Sequence, residues 1–180
     1  MNGSSEAGDP EAFVAGRRRA GGRGLLPSAK MNEQTPTGDD PARREFDFWL
    51  GRWRVHAPGD ELAGRSRIEA EYDGCVIHEQ YESVRGFRGE SLNIYDAGRR
   101  VWHQSWVDNT GALLLLEGGL VDGSMVLEGQ VLDARGQAVR HRISWTPGAD
   151  GSVRQHWQTA DASGAWATAF DGRYTRDAAP

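Results

Sequence analysis

From Gly51 to the C-terminal region, apolar and polar residues alternate in short runs, and turn residues interrupt the runs every 8–12 positions or so. A period of two places successive side chains on opposite faces of a strand. The pattern predicts strands over roughly 51–57, 64–72, 75–84, 90–95, 100–107, 112–120, 124–132, 137–146, 152–159 and 165–175. The run Pro41 to Leu50 is the one short stretch with helical character. Consecutive strands joined by tight turns favour an up-and-down meander, and closing it removes the exposed edges. The expectation is an all-β fold, a closed antiparallel barrel of about ten strands.

The turns also fix which face of each strand lies inside, because a two-residue hairpin loop sets cross-strand register. With Asp73-Gly74 as such a loop, Tyr72 pairs with Cys75, Ala70 with Ile77, Ile68 with Glu79 and Ser66 with Tyr81. That face is largely apolar and carries one carboxylate, Glu79, so it is the interior. Asp122-Gly123 places Leu114, Leu116, Gly118, Leu120, Met125, Leu127, Gly129 and Val131 on a second inward face, whose glycines would leave room. Ser163-Gly164 aligns Trp157, Trp166, Thr168 and Phe170, with Gln155 and Val153 further back. If the loop 146–151 keeps parity, Ser144 and Arg142 point inward too. A three-residue loop over Asn109 to Gly111 turns Trp102, Gln104 and Trp106 inward, beside Leu114 and Leu116. The preceding strand stays open between Leu92/Ile94 and Asn93/Tyr95.

Residues 1–44 are rich in Gly, Ala, Ser, Pro, Arg and acids and show neither period. Such a segment buries too little to offset its ordering entropy, so a disordered tail is expected there, with Met31 as a second candidate start, and again over 177–180. The domain is then 45–176. The charge of −5 argues against a nucleic-acid surface. The longest apolar run, Ala112 to Leu116, is too short to span a membrane as a helix. No hydrophobic stretch follows Arg17-Arg18-Arg19, and Cys75 is alone, so a reduced cytoplasmic protein without a disulfide framework is expected.

The interior read this way is aromatic with a few polar groups, and the candidate ligand-binding residues are Trp53, Tyr72, Glu79, Tyr81, Trp102 and Gln104. Trp106, Arg142, Gln155, Trp157 and Trp166 complete the set. His56, His78, His103, His141 and His156 all read as outward-facing, so neither a metal nor a cofactor is implied. Glu79 is the candidate general acid or base, because burial disfavours its ionised form. It also reads as a structural group that pairs with Arg142 or accepts a tyrosine proton, as buried charges normally must. An inward Arg142 would grip a ligand carboxylate.

Three segments carry a resemblance. Phe46-Asp47-Phe48-Trp49-Leu50-Gly51-Arg52-Trp53-Arg54-Val55 resembles the opening of calycin-type barrels, in which a short turn ending in Trp-Leu-Gly-x-Trp closes one end. Phe170 to Arg176 resembles their last strand returning to the first. With Trp102-x-Gln104-x-Trp106-x-Asp108 and Met125-Val126-Leu127-Glu128-Gly129, the pattern over about 45–176 is similar to a bacterial family of small calycin-like domains of unknown function. The resemblance implies a fold like fatty-acid-binding proteins and nitrobindins, and no reaction.

Three functions follow as expectations. The first is binding of a small hydrophobic or aromatic, even acidic, molecule inside the barrel. The second is acid–base catalysis of the isomerase or cyclase type through Glu79. The third is a structural or interaction role with a packed barrel, for instance as a homodimer through an outer face.

Overall fold

The computed structural model describes residues 40–161 and 164–177. The expected tail over 1–39, Ser163 of the last hairpin and residues 178–180 lie outside them. Ten antiparallel strands form a closed up-and-down barrel in which each strand pairs with its sequence neighbours and β1 pairs with β10. The strands are β1 (Gly51–His56), β2 (Leu62–Glu71), β3 (Val76–Ser83), β4 (Arg88–Asp96), β5 (Val101–Asp108), β6 (Leu113–Val121), β7 (Ser124–Leu132), β8 (Ala138–Pro147), β9 (Val153–Ala160) and β10 (Trp166–Arg176). This is the architecture that the alternation and turns predict, and it is consistent with a calycin-like fold. No helix among the described residues is long and apolar enough to cross a membrane.

Two 3-10 turns, Pro41–Arg44 and Asp47–Trp49, precede the barrel. Described structure therefore reaches into the segment read as tail. The first turn starts where Asp40 caps it, accepting a hydrogen bond from the Ala42 amide at 3.0 Å, with Pro41 in the first helical turn. The second drives Phe46 and Trp49 into the barrel end, both fully buried. Phe46 stacks on Trp49 with ring centroids 4.9 Å apart and meets Trp145 at 5.2 Å and Trp102 at 5.7 Å. The Trp53 indole N–H donates to the Trp49 carbonyl at 2.8 Å, and the Trp102 indole N–H to the Ala42 carbonyl at 3.2 Å. These bonds tie the plug to the wall, and the buried aromatic cluster fills this end.

Two registers hold throughout: Ile68 pairs with Glu79 and Ser66 with Tyr81, and Gly118 pairs with Leu127. Four inferences from the turns need correction. The loop between β8 and β9 runs from 148 to 152, because Pro147 pairs with Val153. Parity is therefore shifted by one, and Ile143 and Trp145 face inward while Arg142 faces out. In β10 a register shift between Thr168 and Phe170 keeps Phe170 opposite Trp157 but turns Trp166 to the outer wall. There Trp166 lies under the guanidinium groups of Arg140 and Arg142, at 4.9 and 4.4 Å. The first hairpin turn takes four residues, with Tyr72 and Asp73 at positive φ, and Tyr72 swings into solvent at 75 % exposure. Gly118 and Gly129 do not open space. A Cβ on either would lie 2.0–2.1 Å from a carbonyl oxygen of the neighbouring strand, so they permit close strand approach.

The open question on β4 resolves to Asn93 and Tyr95 inside, joined by Ser91, all three buried. Leu92 and Ile94 are outward and 49 % and 40 % exposed.

Candidate functional site

Away from the plug, the interior holds a pocket of about 230 Å³. β3, β5, β9 and β10 supply its walls through Glu79, Tyr81, Trp106, Trp157 and Phe170, and Gln155 and Tyr174 lie deeper. Phe87, in the loop between β3 and β4, covers one side. Its ring is 6.3 Å from both Trp106 and Tyr81. The Ser83 hydroxyl oxygen holds that loop by accepting the Phe87 amide at 3.0 Å. Gly89, paired with Asp108 of β5, lies against the Trp106 ring, and a Cβ there would sit 2.1 Å from the indole.

Glu79 is 2 % exposed. Its Oε1 accepts the Ser66 hydroxyl at 2.9 Å and its Oε2 the Ser91 hydroxyl at 3.3 Å. The Tyr174 hydroxyl lies 3.4 Å from Oε1 but only 2.5 Å from the Gln155 side-chain oxygen, so its single proton goes to Gln155. Behind Ser91 the network continues. Asn93 donates to the Ser91 hydroxyl oxygen at 3.0 Å, and Gln104 donates to the Asn93 side-chain oxygen at 2.8 Å. Desolvation pushes the Glu79 carboxyl up to about 7, and the hydrogen bonds from Ser66 and Ser91 offset only part of that. The same burial, with Glu79 nearby, raises the Tyr174 phenol well above its usual range. A carboxyl held near neutrality can give or take a proton at the pocket wall.

The structure brings together Glu79, Tyr81, Trp106, Gln155 and Trp157 from the sequence-derived candidates. Gln104 stands behind the pocket, in the polar network. Trp53 and Trp102 belong to the plug, where both are 0–2 % exposed. Arg142, Trp166 and Tyr72 do not reach the interior. Arg142 instead pairs with Glu128 across the outer wall at 2.6 Å. Phe87, Ser66, Ser91 and Tyr174 were missed as site residues. Tyr174 was readable in principle, because the Phe170 face continued along β10 reaches it.

His141 is the histidine whose predicted facing is overturned, since it shares the inward face of β8 with Ile143. The Trp157 indole N–H donates to its Nδ1 at 3.0 Å, and burial lowers its pKa. The ring is therefore neutral with its proton on Nε2, a buried atom without a hydrogen-bond partner. The interior pocket is smaller than the roughly 300–1,000 Å³ of sites for drug-sized ligands. Among the described residues no three His, Cys, Asp or Glu side chains are placed to hold a metal ion.

Two larger hollows, of about 690 and 600 Å³, lie chiefly among outward residues. Arginines and carboxylates line both and pair with one another, as Arg65 does with Asp177 at 3.0 Å and Arg154 with Asp171 at 2.8 Å. They lack the apolar enclosure of the interior pocket. No family model matches the chain, and no curated protein matches it significantly.

Proposed function

We propose that the barrel binds a small hydrophobic or aromatic molecule, about one ring in size, in the pocket beside Glu79. The observation that carries this reading is the contrast within one interior: the plug end is filled, while Tyr81, Trp106, Trp157 and Phe170 face unfilled space. Apolar walls with a few convergent polar groups are the usual character of small-molecule sites. Trp106 and Trp157 report on occupancy. Titrating one-ring probes should change the tryptophan emission saturably, and filling the pocket with Ala169→Phe, at a β10 position that lines it, should abolish the change. Emission that stays flat with every probe would remove the reading.

A second reading is favoured by one observation, the Glu79 carboxyl raised to about 7 at the pocket wall. In this reading Glu79 shuttles a proton on a bound substrate, as an isomerase or cyclase requires. Glu79→Gln would then abolish turnover while a neutral probe still binds, and unchanged turnover would exclude that role.

A further inference from the structure

We infer that the ligand of this pocket is a small aromatic or alkyl amine, bound as the ammonium ion with Glu79 as its counter-ion and the ring faces of Trp106, Trp157 and Tyr81 around it. The inference rests on the pocket reading above and adds the charge of the occupant.

The argument starts from what the wall offers. The lining includes a carboxyl group and no lysine or arginine. The arginine that an acidic ligand would need, Arg142, is on the outer wall with Glu128. The remaining lining is mostly aromatic, and aromatic faces carry the negative side of the ring quadrupole, which attracts cations. Trp106 is further enriched, because its indole N–H donates to Asp108 Oδ2 at 3.1 Å. Partial burial pushes the Asp108 carboxyl up, but bonds from Thr110 and Trp106 outweigh it and keep the group below the usual carboxylate range. A second negative charge therefore stands behind that wall.

The hydrogen-bond inventory agrees. The Tyr174 proton is committed to Gln155, so its oxygen presents lone pairs, and the Gln155 oxygen keeps one more. Glu79 has about four lone-pair sites, and the two serines fill two of them at short range. Beside the Gln155 amide N–H donors, the deep end thus offers acceptors on Glu79, Tyr174 and Gln155, and an ammonium group brings three donors.

The groups that face Glu79 are Ser66 from β2, Ser91 from β4, Tyr174 from β10 and Tyr81 from its own strand. His78, on the outer face of β3 between Glu71 and Glu90, is the cation that acts on it. None of these supplies a full counter-charge inside the barrel. An entering ammonium would supply it, and Glu79 would release its proton to solvent as the ion pair forms.

The test is calorimetric titration of the full chain with three probes of one skeleton: phenethylamine, 2-phenylethanol and phenylacetate. The amine should bind at least about tenfold tighter than the alcohol near pH 8, and phenylacetate should not bind. With Glu79 titrating at about 7, amine affinity should fall about tenfold from about pH 8 to about pH 6. Near pH 6 close to one proton should be released per amine bound, read from buffers of different ionisation enthalpy. Glu79→Gln should bring the amine down to the alcohol's affinity; if that variant does not fold, proton release by the wild type decides alone. Equal binding of amine and alcohol, or preference for phenylacetate, would overturn the inference and leave the pocket reading standing. Binding of none of the three would overturn both.

Discussion

At the plug end Trp49, Trp53, Trp102 and Trp145 are 0–2 % exposed and in contact with one another or with Phe46 and Tyr174, whereas Trp106 and Trp157 at the pocket end are only partly buried and border open space. The residue type is the same, so the difference comes from what each end supplies to fill the barrel. The 3-10 turn at Asp47–Trp49 inserts Phe46 and Trp49 at one end. At the other end Phe87 reaches across the wall, Gly89 gives up its side chain to the Trp106 ring, and the centre holds polar groups. One half is a core that happens to be aromatic. The other is a lined chamber with a carboxyl group in its wall.

The widest gap between the halves should appear on truncation. Trp145→Ala removes a fully buried ring from the plug and should cost about 3–5 kcal/mol in urea unfolding. Trp106→Ala should cost only about 1–2 kcal/mol, because that ring is already partly solvated. Equal losses would erase the distinction.

Glu79 sharpens the comparison through pH. Its carboxyl lies at about 7 in the folded protein against 4.5 ordinarily, so between those values the folded state holds a proton that the unfolded chain has released. Stability should therefore be greatest below about pH 4.5 as far as this group is concerned, and fall by on the order of 3 kcal/mol as pH rises through about 7. Denaturation midpoints of wild type and Glu79→Gln across that window should diverge, with the variant losing less. Parallel curves would mean that Glu79 is solvated after all.

A smaller effect separates strand contact from chamber space. Gly118→Ala places a Cβ 2.1 Å from the Val126 carbonyl oxygen and should destabilise by about 1–3 kcal/mol. Its neighbour Gly119 has nothing within 4 Å of the added atom, so Gly119→Ala should be close to neutral. The smallest effect is expected outside. Arg142→Ala removes an exposed ion pair and a contact over Trp166, and should shift stability by no more than about 1 kcal/mol and leave probe binding unchanged. Loss of binding in Arg142→Ala would return that residue to the site.

The barrel, its order and the inward position of Glu79 were legible because alternation and tight turns act locally: Asp73-Gly74 and Asp122-Gly123 set registers that hold along whole strands. Errors arose where a single residue changes parity. The five-residue connection at 148–152 exchanged Arg142 for His141 inside, and the shift after Thr168 moved Trp166 out. Neither leaves a composition signal that a period-two pattern can detect. The inward face of β4 stayed open between Leu92/Ile94 and Asn93/Tyr95 for a different reason. β4 shows its apolar residues, Leu92 and Ile94, to the outside, so hydrophobicity points away from the buried face. That face is polar because it serves Glu79 and Gln104, and such a demand is tertiary.

The most direct test follows the seven tryptophan indole N–H signals by two-dimensional NMR during titration with phenethylamine and 2-phenylethanol. The account predicts that Trp106 and Trp157 move saturably while Trp49, Trp53, Trp102, Trp145 and the outer-wall Trp166 stay in place. Movement of the plug tryptophans with those of the pocket end unmoved, or no movement of any signal, would contradict a ligand chamber beside Glu79.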